Sequence, residues 1–120
     1  MSTANPSAYP TPYELGNQNQ TTTWADCIAY YQRLALDFPD VLKFFQIGVS
    51  DGGVPMHAGV ITADGVFDRA QLKAEGRPVF FNNNGIHPGE PEGIDSCMAL
   101  LRDFCLQAVR RAALGKAVFL

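Results

Sequence analysis

The sequence predicts an α/β fold in which a mixed β-sheet is flanked by helices. Two long segments carry apolar residues at spacings of three and four, which indicates amphipathic helices. Short apolar runs bounded by Gly, Pro and Asn indicate strands. In chain order the predicted elements are helix, strand, strand, short helix, strand, helix and strand, an alternation typical of an α/β layer.

The composition is that of a globular protein and excludes several function classes. Hydrophobic residues make up 47% of the chain and charged residues 18%, which are not the values of a disordered segment. The net charge of -3 provides no basic surface for nucleic acid or an anionic membrane. No apolar run approaches the ~20 residues of a membrane span. We therefore expect neither a nucleic-acid partner nor a membrane-spanning segment.

The first residues are polar and rich in Pro, Ser, Asn and Gln. We expect residues 1–22 to form an irregular N-terminal arm, whose Tyr9, Tyr13 and Leu15 either dock on the body or stay loose. The arm lacks the basic and apolar regions of a signal peptide. The protein is accordingly expected to be cytoplasmic as the sequence stands, and secreted or periplasmic if its N-terminus is incomplete.

The first predicted helix begins at Thr23, with Asp26 three residues later in a pattern similar to a capping box, and ends before Pro39. A hairpin is predicted next, formed by residues 41–49 and 54–62. The apolar face of the first helix is predicted to consist of Trp24, Ile28, Tyr31, Ala35 and Phe38. The connection Ser-Asp-Gly-Gly between the two strands is a strong turn signal.

The second half of the chain has equally readable boundaries. Asp68 is predicted to cap a short helix over residues 69–75. A long helix begins near Pro91, and its apolar stripe runs from Ile94 to Ala108. Residues 117–120 are predicted to begin another strand.

A histidine and a carboxylate stand three residues apart in the loop before that long helix. The apolar run 79–81 predicts a buried strand, and His87 and Glu90 follow its carboxyl end, where open α/β sheets place ligands. Neutral imidazole and carboxylate are donors that Zn²⁺ accepts, and Pro88 and Gly89 force a tight turn between them. The simpler interpretation is a polar turn that caps a helix. The strand before and the helix after favour a metal site.

A family resemblance accompanies these residues. Residues 84–95 are Asn-Gly-Ile-His-Pro-Gly-Glu-Pro-Glu-Gly-Ile-Asp, and they resemble the first metal-binding motif of the zinc carboxypeptidase family of metallopeptidases. Thr23-Trp24 and residues 47–53, Ile-Gly-Val-Ser-Asp-Gly-Gly, resemble the segment that precedes this motif in that family. The resemblance covers about Pro12 to Leu120.

The resemblance implies a cofactor, a substrate and a role for two residues. Zn²⁺ is the implied cofactor, His87 and Glu90 are its implied ligands, and the C-terminus of a peptide or protein is the implied substrate. Gly89 stands where pancreatic-type members carry an arginine. The family's third ligand (a histidine), its substrate-binding arginines and its glutamate base lie further along and have no matching position here. Residues 23–120 are therefore interpreted as the N-terminal part of one peptidase-like domain, truncated at the C-terminus, and the chain alone is expected to be inactive.

Two other functions stay open at this point. One is a zinc amidohydrolase of small N-acyl amino acids, whose first motif resembles His-Gly-Asn-Glu. The Pro-Gly pair between His87 and Glu90 favours the peptidase. The other is a non-catalytic binding module that retains the fold.

The remaining candidate ligands are given structural roles. His57 lies in the second predicted strand and has no partner at coordination spacing, so we predict a structural histidine. Cys27, Cys97 and Cys105 all lie on predicted helices and form no Cys-x-x-Cys pair. They are therefore predicted to be buried free thiols.

Overall fold

The predicted α/β class is confirmed by a computed structural model, which describes residues 8–120. The helices are Pro12–Leu15 (α1), Trp24–Asp37 (α2), Arg69–Ala74 (α3), Glu92–Leu106 (α4) and Ala108–Ala112 (α5). The strands are Leu42–Val49 (β1), Pro55–Ile61 (β2), Val79–Phe80 (β3) and Val118–Phe119 (β4). Among residues 8–120, no helix is long and apolar enough to cross a membrane.

The strands form one mixed sheet in the order β1-β2-β4-β3. The hairpin pairs β1 and β2 antiparallel, with Leu42 opposite Ile61, as the turn signal predicts. β4 pairs antiparallel with β2 and parallel with β3, where Val79 lies opposite Val118. The chain passes from β3 to β4 through α4, because parallel neighbours need a crossover connection. The loop after β3 thus lies at the carboxyl end of a parallel pair.

The core lies between the sheet and the two long helices. Leu42, Ile61 and Phe119 are register partners on neighbouring strands and therefore share one face of the sheet. α2 and α4 cover that face. The buried cluster consists of Leu34, Val41, Leu42, Ile61, Leu101, Cys105 and Phe119.

The predicted apolar face of α2 is only partly correct. Leu34 was not assigned to that face, yet it is fully buried, whereas Trp24 is mostly exposed. α2 contacts both β1 and α4, so its buried side is the one that these two neighbours share. Helical periodicity gives the width of an apolar stripe and does not locate the neighbouring elements.

The strand predicted at residues 79–81 forms, but the prediction that it is buried is wrong. Val79 and Phe80 are 59% and 61% exposed, and Phe81 lies outside the strand and is also exposed. β3 is an edge strand that pairs with β4 alone. Within residues 8–120, Phe80 stacks on Phe119, with 5.5 Å between ring centroids. A short apolar run predicts a strand without showing what covers it.

The long helix predicted to extend through Ala108 is interrupted. α4 ends at Leu106 because Gln107 has extended backbone angles (φ -116°, ψ 102°), and α5 starts immediately afterwards. The guanidinium of Arg111 donates hydrogen bonds of 2.9 Å to the carbonyls of Phe104 and Cys105. These bonds satisfy carbonyls that the helix end leaves free.

The arm predicted to be irregular contains one helical turn, α1. Residues 1–7 of the arm lie outside the described part of the chain. Thr11 and Glu14 form a reciprocal capping box: the Glu14 N–H donates to Thr11 Oγ1 and the Thr11 N–H donates to the Glu14 carboxylate at 2.8 Å. Local hydrogen bonds therefore define this turn although it is too short to be stable alone.

A buried arginine of α4 holds the arm in place. Arg102 is 5% exposed and donates to the two carboxylate oxygens of Glu14 at 2.7 and 2.9 Å. It also donates to the Tyr9 carbonyl at 3.3 Å. The Tyr9 ring packs edge-on against Phe38, with 5.6 Å between centroids. Of the three arm residues considered above, Tyr9 docks on the body, whereas Leu15 is largely exposed.

The opposite face of the sheet is largely bare. Lys43, Phe45, Val60, Val79 and Val118 share it and line a groove of 880 Å³, with α3 along one side. Phe45 of β1 and Val79 of β3 are exposed there. Exposed apolar area of this extent is typical of a surface that another polypeptide covers.

The bare face generates a first prediction. The 120-residue chain is expected to bind an apolar dye such as ANS and to self-associate, because the groove and the β3 edge expose apolar groups. Val79→Lys should reduce both effects, since it places a charge in the groove. Val109→Lys is the matched control, because Val109 is exposed on α5 outside the groove. Equal dye fluorescence and sedimentation for the two variants would contradict the prediction.

The arm contact generates a second prediction. Burial acts to raise the pKa of Glu14, but hydrogen bonds from Arg102 and from the Thr11 backbone outweigh it, so the pKa lies below its usual 4.5. A carboxylate with a lowered folded-state pKa contributes stability above the unfolded-state value, and that contribution is lost as the pH falls through the folded-state pKa. Stability should therefore fall in the window below pH 4.5 as the arm detaches.

Thermal unfolding as a function of pH measures this effect. Glu14→Gln should lower the Tm at neutral pH and flatten the acid limb of the curve, since the variant has no carboxylate to protonate. Asp51→Asn, in the exposed hairpin turn, is the control and should retain the wild-type slope. An unchanged acid limb in Glu14→Gln would show that other carboxylates control acid unfolding.

Candidate metal centre

The loop that carries His87 and Glu90 begins where β3 ends and finishes at the first turn of α4. The Asn82 N–H donates to the Leu120 carbonyl at 2.7 Å, which continues the pairing of the two parallel strands past their last residues. Gly85 then adopts a left-handed conformation with φ +67°, which redirects the chain. The loop therefore leaves the sheet at the edge where α/β folds place ligands.

The structure brings the two predicted ligands together. His87 Nδ1 lies 3.1 Å from Glu90 Oε1. The turn through Pro88 and Gly89 is closed by the Glu90 N–H, which donates to the His87 carbonyl at 3.3 Å. Two donors at tetrahedral zinc bond lengths lie about 3.4 Å apart. The two side chains are thus placed as two ligands of one ion would be, and their ligation of zinc stays a prediction.

Both side chains are open to solvent, with 69% of His87 and 52% of Glu90 exposed. The positive end of the α4 dipole lies next to Glu90 in sequence and favours an ionised carboxylate there. Without a metal ion, an Nδ1 proton of His87 can be donated to Glu90. The pair is accessible to an ion from solvent, and its geometry depends on the backbone of the loop.

Within residues 8–120, no group of three or more His, Cys, Asp and Glu side chains is placed to hold a metal ion. The described chain therefore offers two donors at this site. Catalytic zinc is held by three protein ligands and a water or substrate.

The other histidine is part of an aromatic stack. The His57 ring lies parallel to Phe44, with 5.1 Å between centroids and 6° between planes, and Trp24 packs beside it at 6.4 Å. His57 Nδ1 is buried, with no hydrogen-bond partner among the described residues. This placement agrees with the structural role predicted from the sequence. The stack could not be found from sequence spacing, since it joins β1, β2 and α2.

The three cysteines are free thiols, as predicted, but of the three only Cys105 is fully buried. Burial raises the pKa of Cys27 to about 11 and that of Cys105 to about 12. Burial likewise raises the pKa of Cys97. The thiolate is the nucleophilic form, so burial lowers the reactivity of these three thiols at neutral pH.

A comparison with protein-family models matches residues 27–118 to a model described as zinc carboxypeptidase. The chain belongs to the zinc carboxypeptidase family. The resemblance predicted from residues 84–95 and 47–53 is thereby confirmed. The zinc carboxypeptidase family is a family of peptidases, and its zinc dependence fits the imidazole and carboxylate found here. No curated protein sequence matches the chain.

Two glycines that support the zinc carboxypeptidase motif were not singled out by the sequence analysis. A methyl group on Gly85 would lie 2.6 Å from Ile94 Cδ1, in the first turns of α4. A methyl group on Gly93 would lie 2.8 Å from Asn84 Oδ1. The position of both glycines beside the two candidate ligands was a visible sequence signal. The side chains that these glycines approach, Ile94 and Asn84, are known only from the fold.

Gly85 provides a third prediction. Gly85→Ala should destabilise the chain by about 1–3 kcal/mol, because it combines a left-handed backbone with a steric conflict at Ile94. Gly53→Ala separates the two causes, since Gly53 has φ +78° and no atom within 4 Å of the added methyl. Gly89→Ala is an open position in the same loop. Urea unfolding should rank the losses as Gly85, then Gly53, then Gly89; equal losses at Gly85 and Gly53 would show that Ile94 moves aside freely.

Proposed function

We propose that this chain contributes the first metal-binding motif of a zinc-dependent carboxypeptidase, with His87 and Glu90 as two of three protein ligands. The observation that carries the proposal is the 3.1 Å approach of Nδ1 and Oε1 at the carboxyl end of β3. Membership of the zinc carboxypeptidase family supports it independently. The reaction proposed is hydrolysis of the C-terminal peptide bond of a peptide or protein.

The two residues have distinct tasks in this proposal. His87 offers the neutral lone pair of Nδ1, and Glu90 offers an anionic oxygen that offsets part of the ion's charge. Zinc bound there would supply a Lewis acid, which acidifies water and polarises a carbonyl group. Both side chains face solvent, so an ion held by them stays open to a substrate.

His57 and the two buried arginines are engaged elsewhere in the fold. The sequence contains two histidines, and the second one, His57, is held in the aromatic stack. The buried arginines are also engaged: Arg102 binds Glu14, and Arg77 binds Asp64 through contacts of 3.0 and 3.1 Å. Neither is free to bind a substrate carboxylate. We propose no residue among 8–120 as the third ligand, the general base or a substrate-binding cation.

A second candidate function is a non-catalytic binding module. The observation that favours it is the two-donor site, since residues 8–120 bring no third metal-binding side chain to His87 and Glu90. In that case the chain would bind a metal ion weakly and turn over no substrate.

Zinc titration of the 120-residue chain gives the fourth prediction. His87→Ala and Glu90→Gln should each weaken zinc binding by about tenfold or more, because each removes one of two ligands. His57→Ala is the matched control and should leave the dissociation constant unchanged. Circular dichroism checks that every variant is folded. Loss of zinc from His57→Ala with the fold intact would show that the ligand set is misassigned.

A hydrolase assay tests whether the chain holds a complete set of zinc ligands. The 120-residue chain is offered a C-terminal peptide substrate and an N-acyl amino acid, each with and without a chelator. No turnover is expected, because the ligand set is incomplete. Chelator-sensitive peptide hydrolysis would instead require a third ligand within this chain, and hydrolysis of the N-acyl amino acid alone would favour an amidohydrolase.

A further inference from the structure

Three asparagines, residues 82–84, lead into the metal motif, and the first of them is hydrogen-bonded to α4. Asn82 Nδ2 donates to Cys97 Sγ at 3.4 Å, on the second turn of that helix. The backbone N–H of the same residue donates to the Leu120 carbonyl at 2.7 Å. Asn82 therefore connects the end of the parallel strand pair to α4, a few residues before His87.

Asn84 makes a second contact with the same helix. Its side-chain oxygen lies 2.8 Å from where a Cβ of Gly93 would stand, so only glycine permits this approach. Tyr31, Asn82 and Asn84 line one cavity together with Cys97. Cys97 is thus surrounded by α2 on one side and by the loop on the other.

The thiol is an acceptor in this arrangement and not a reactive group. Burial raises the pKa of Cys97, and the polar side chains of Tyr31, Asn82 and Asn84 only partly oppose that effect. A neutral thiol is a weak nucleophile and a poor zinc ligand. A neutral, partly buried sulfur can accept a hydrogen bond from the Asn82 side-chain amide and fill the space between α4 and the loop.

The position of the two ligands depends on this contact. His87 and Glu90 are exposed, so their placement relies on the backbone to which they are attached. We propose that Cys97 is a positioning residue: through Asn82 it holds the loop so that His87 Nδ1 and Glu90 Oε1 stay close before an ion binds. The effect of Cys97 on metal binding rests on the proposed zinc function, whereas its anchoring of the loop to α4 does not.

Hydrogen exchange of the metal-free, 120-residue chain tests the anchoring directly. Cys97→Ala should increase exchange at amides 82–90 by about fivefold to tenfold relative to the rest of the chain, because it removes the acceptor for Asn82. Cys97→Ser should restore most of the protection, since a hydroxyl also accepts a hydrogen bond. Cys105→Ala is the matched control: its thiol is more deeply buried on the same helix and belongs to the core cluster.

The control separates positioning from general stability. Cys105→Ala should lower the Tm without a selective change in the loop. Asn82→Ala should reproduce the loop effect of Cys97→Ala, and the double variant should add little, because both remove one hydrogen bond. Asn82→Ala also serves as the test if Cys97→Ala does not fold. Loop exchange in Cys97→Ala and Asn82→Ala that matches Cys105→Ala would overturn the proposal.

Zinc titration then shows whether the anchor serves the metal. Cys97→Ala should raise the zinc dissociation constant by about 10- to 100-fold, as the loss of groups that orient metal ligands does, and Cys97→Ser should recover it. If the wild-type chain takes up no zinc but Cys97→Ala still frees the loop, the zinc function fails and the anchor stands. If the wild type binds zinc and Cys97→Ala equals Cys105→Ala in both measurements, the anchor fails and the zinc function stands.

Discussion

The parallel pairing of β3 and β4 is the constraint on which the rest of the structure depends. Two parallel neighbours cannot be joined by a tight turn, so the chain must cross the face of the sheet, and α4 makes this crossing. The crossing sets the start of α4 near the carboxyl end of β3 and leaves the intervening loop at that edge. The position of His87 and Glu90 thus follows from strand direction before any property of the two residues is considered.

Different sides of α4 contact the core, the metal loop and the N-terminal arm. Leu101 and Cys105 pack into the core cluster against the sheet. Cys97 faces the metal loop, and Arg102 reaches the N-terminal arm. Arg102 is expensive to bury, and its bonds to the Glu14 carboxylate and the Tyr9 carbonyl are what offset that cost. One helix therefore couples the core, the candidate site and the arm, so a change in its placement affects all three.

The features that could be predicted from sequence are those decided by near neighbours. Residues a few positions apart decide the hairpin turn, the motif loop and the Asp68 cap. In that cap the Asp68 carboxylate accepts a hydrogen bond from the Gln71 N–H at 2.8 Å. The features that could not be predicted depend on distant contacts. Arg102 and Glu14 are 88 positions apart, and the exposure of β3 depends on what lies beside it. The candidate site divides in the same way: the two ligands are three residues apart, while the hydrogen bond that supports their loop joins Asn82 to Cys97 of α4.

The central position of β4 has a consequence for the order in which the sheet assembles. β2 and β3 share no hydrogen bond, and β4 alone connects them. During synthesis the hairpin can close early, because its strands are joined by a short turn, but residues 118–119 emerge only after the other three strands. Until they are inserted, the nascent chain holds a hairpin and a single strand with two unpaired edges. Joining them closes a long loop and is therefore the slow, entropically costly step of sheet formation.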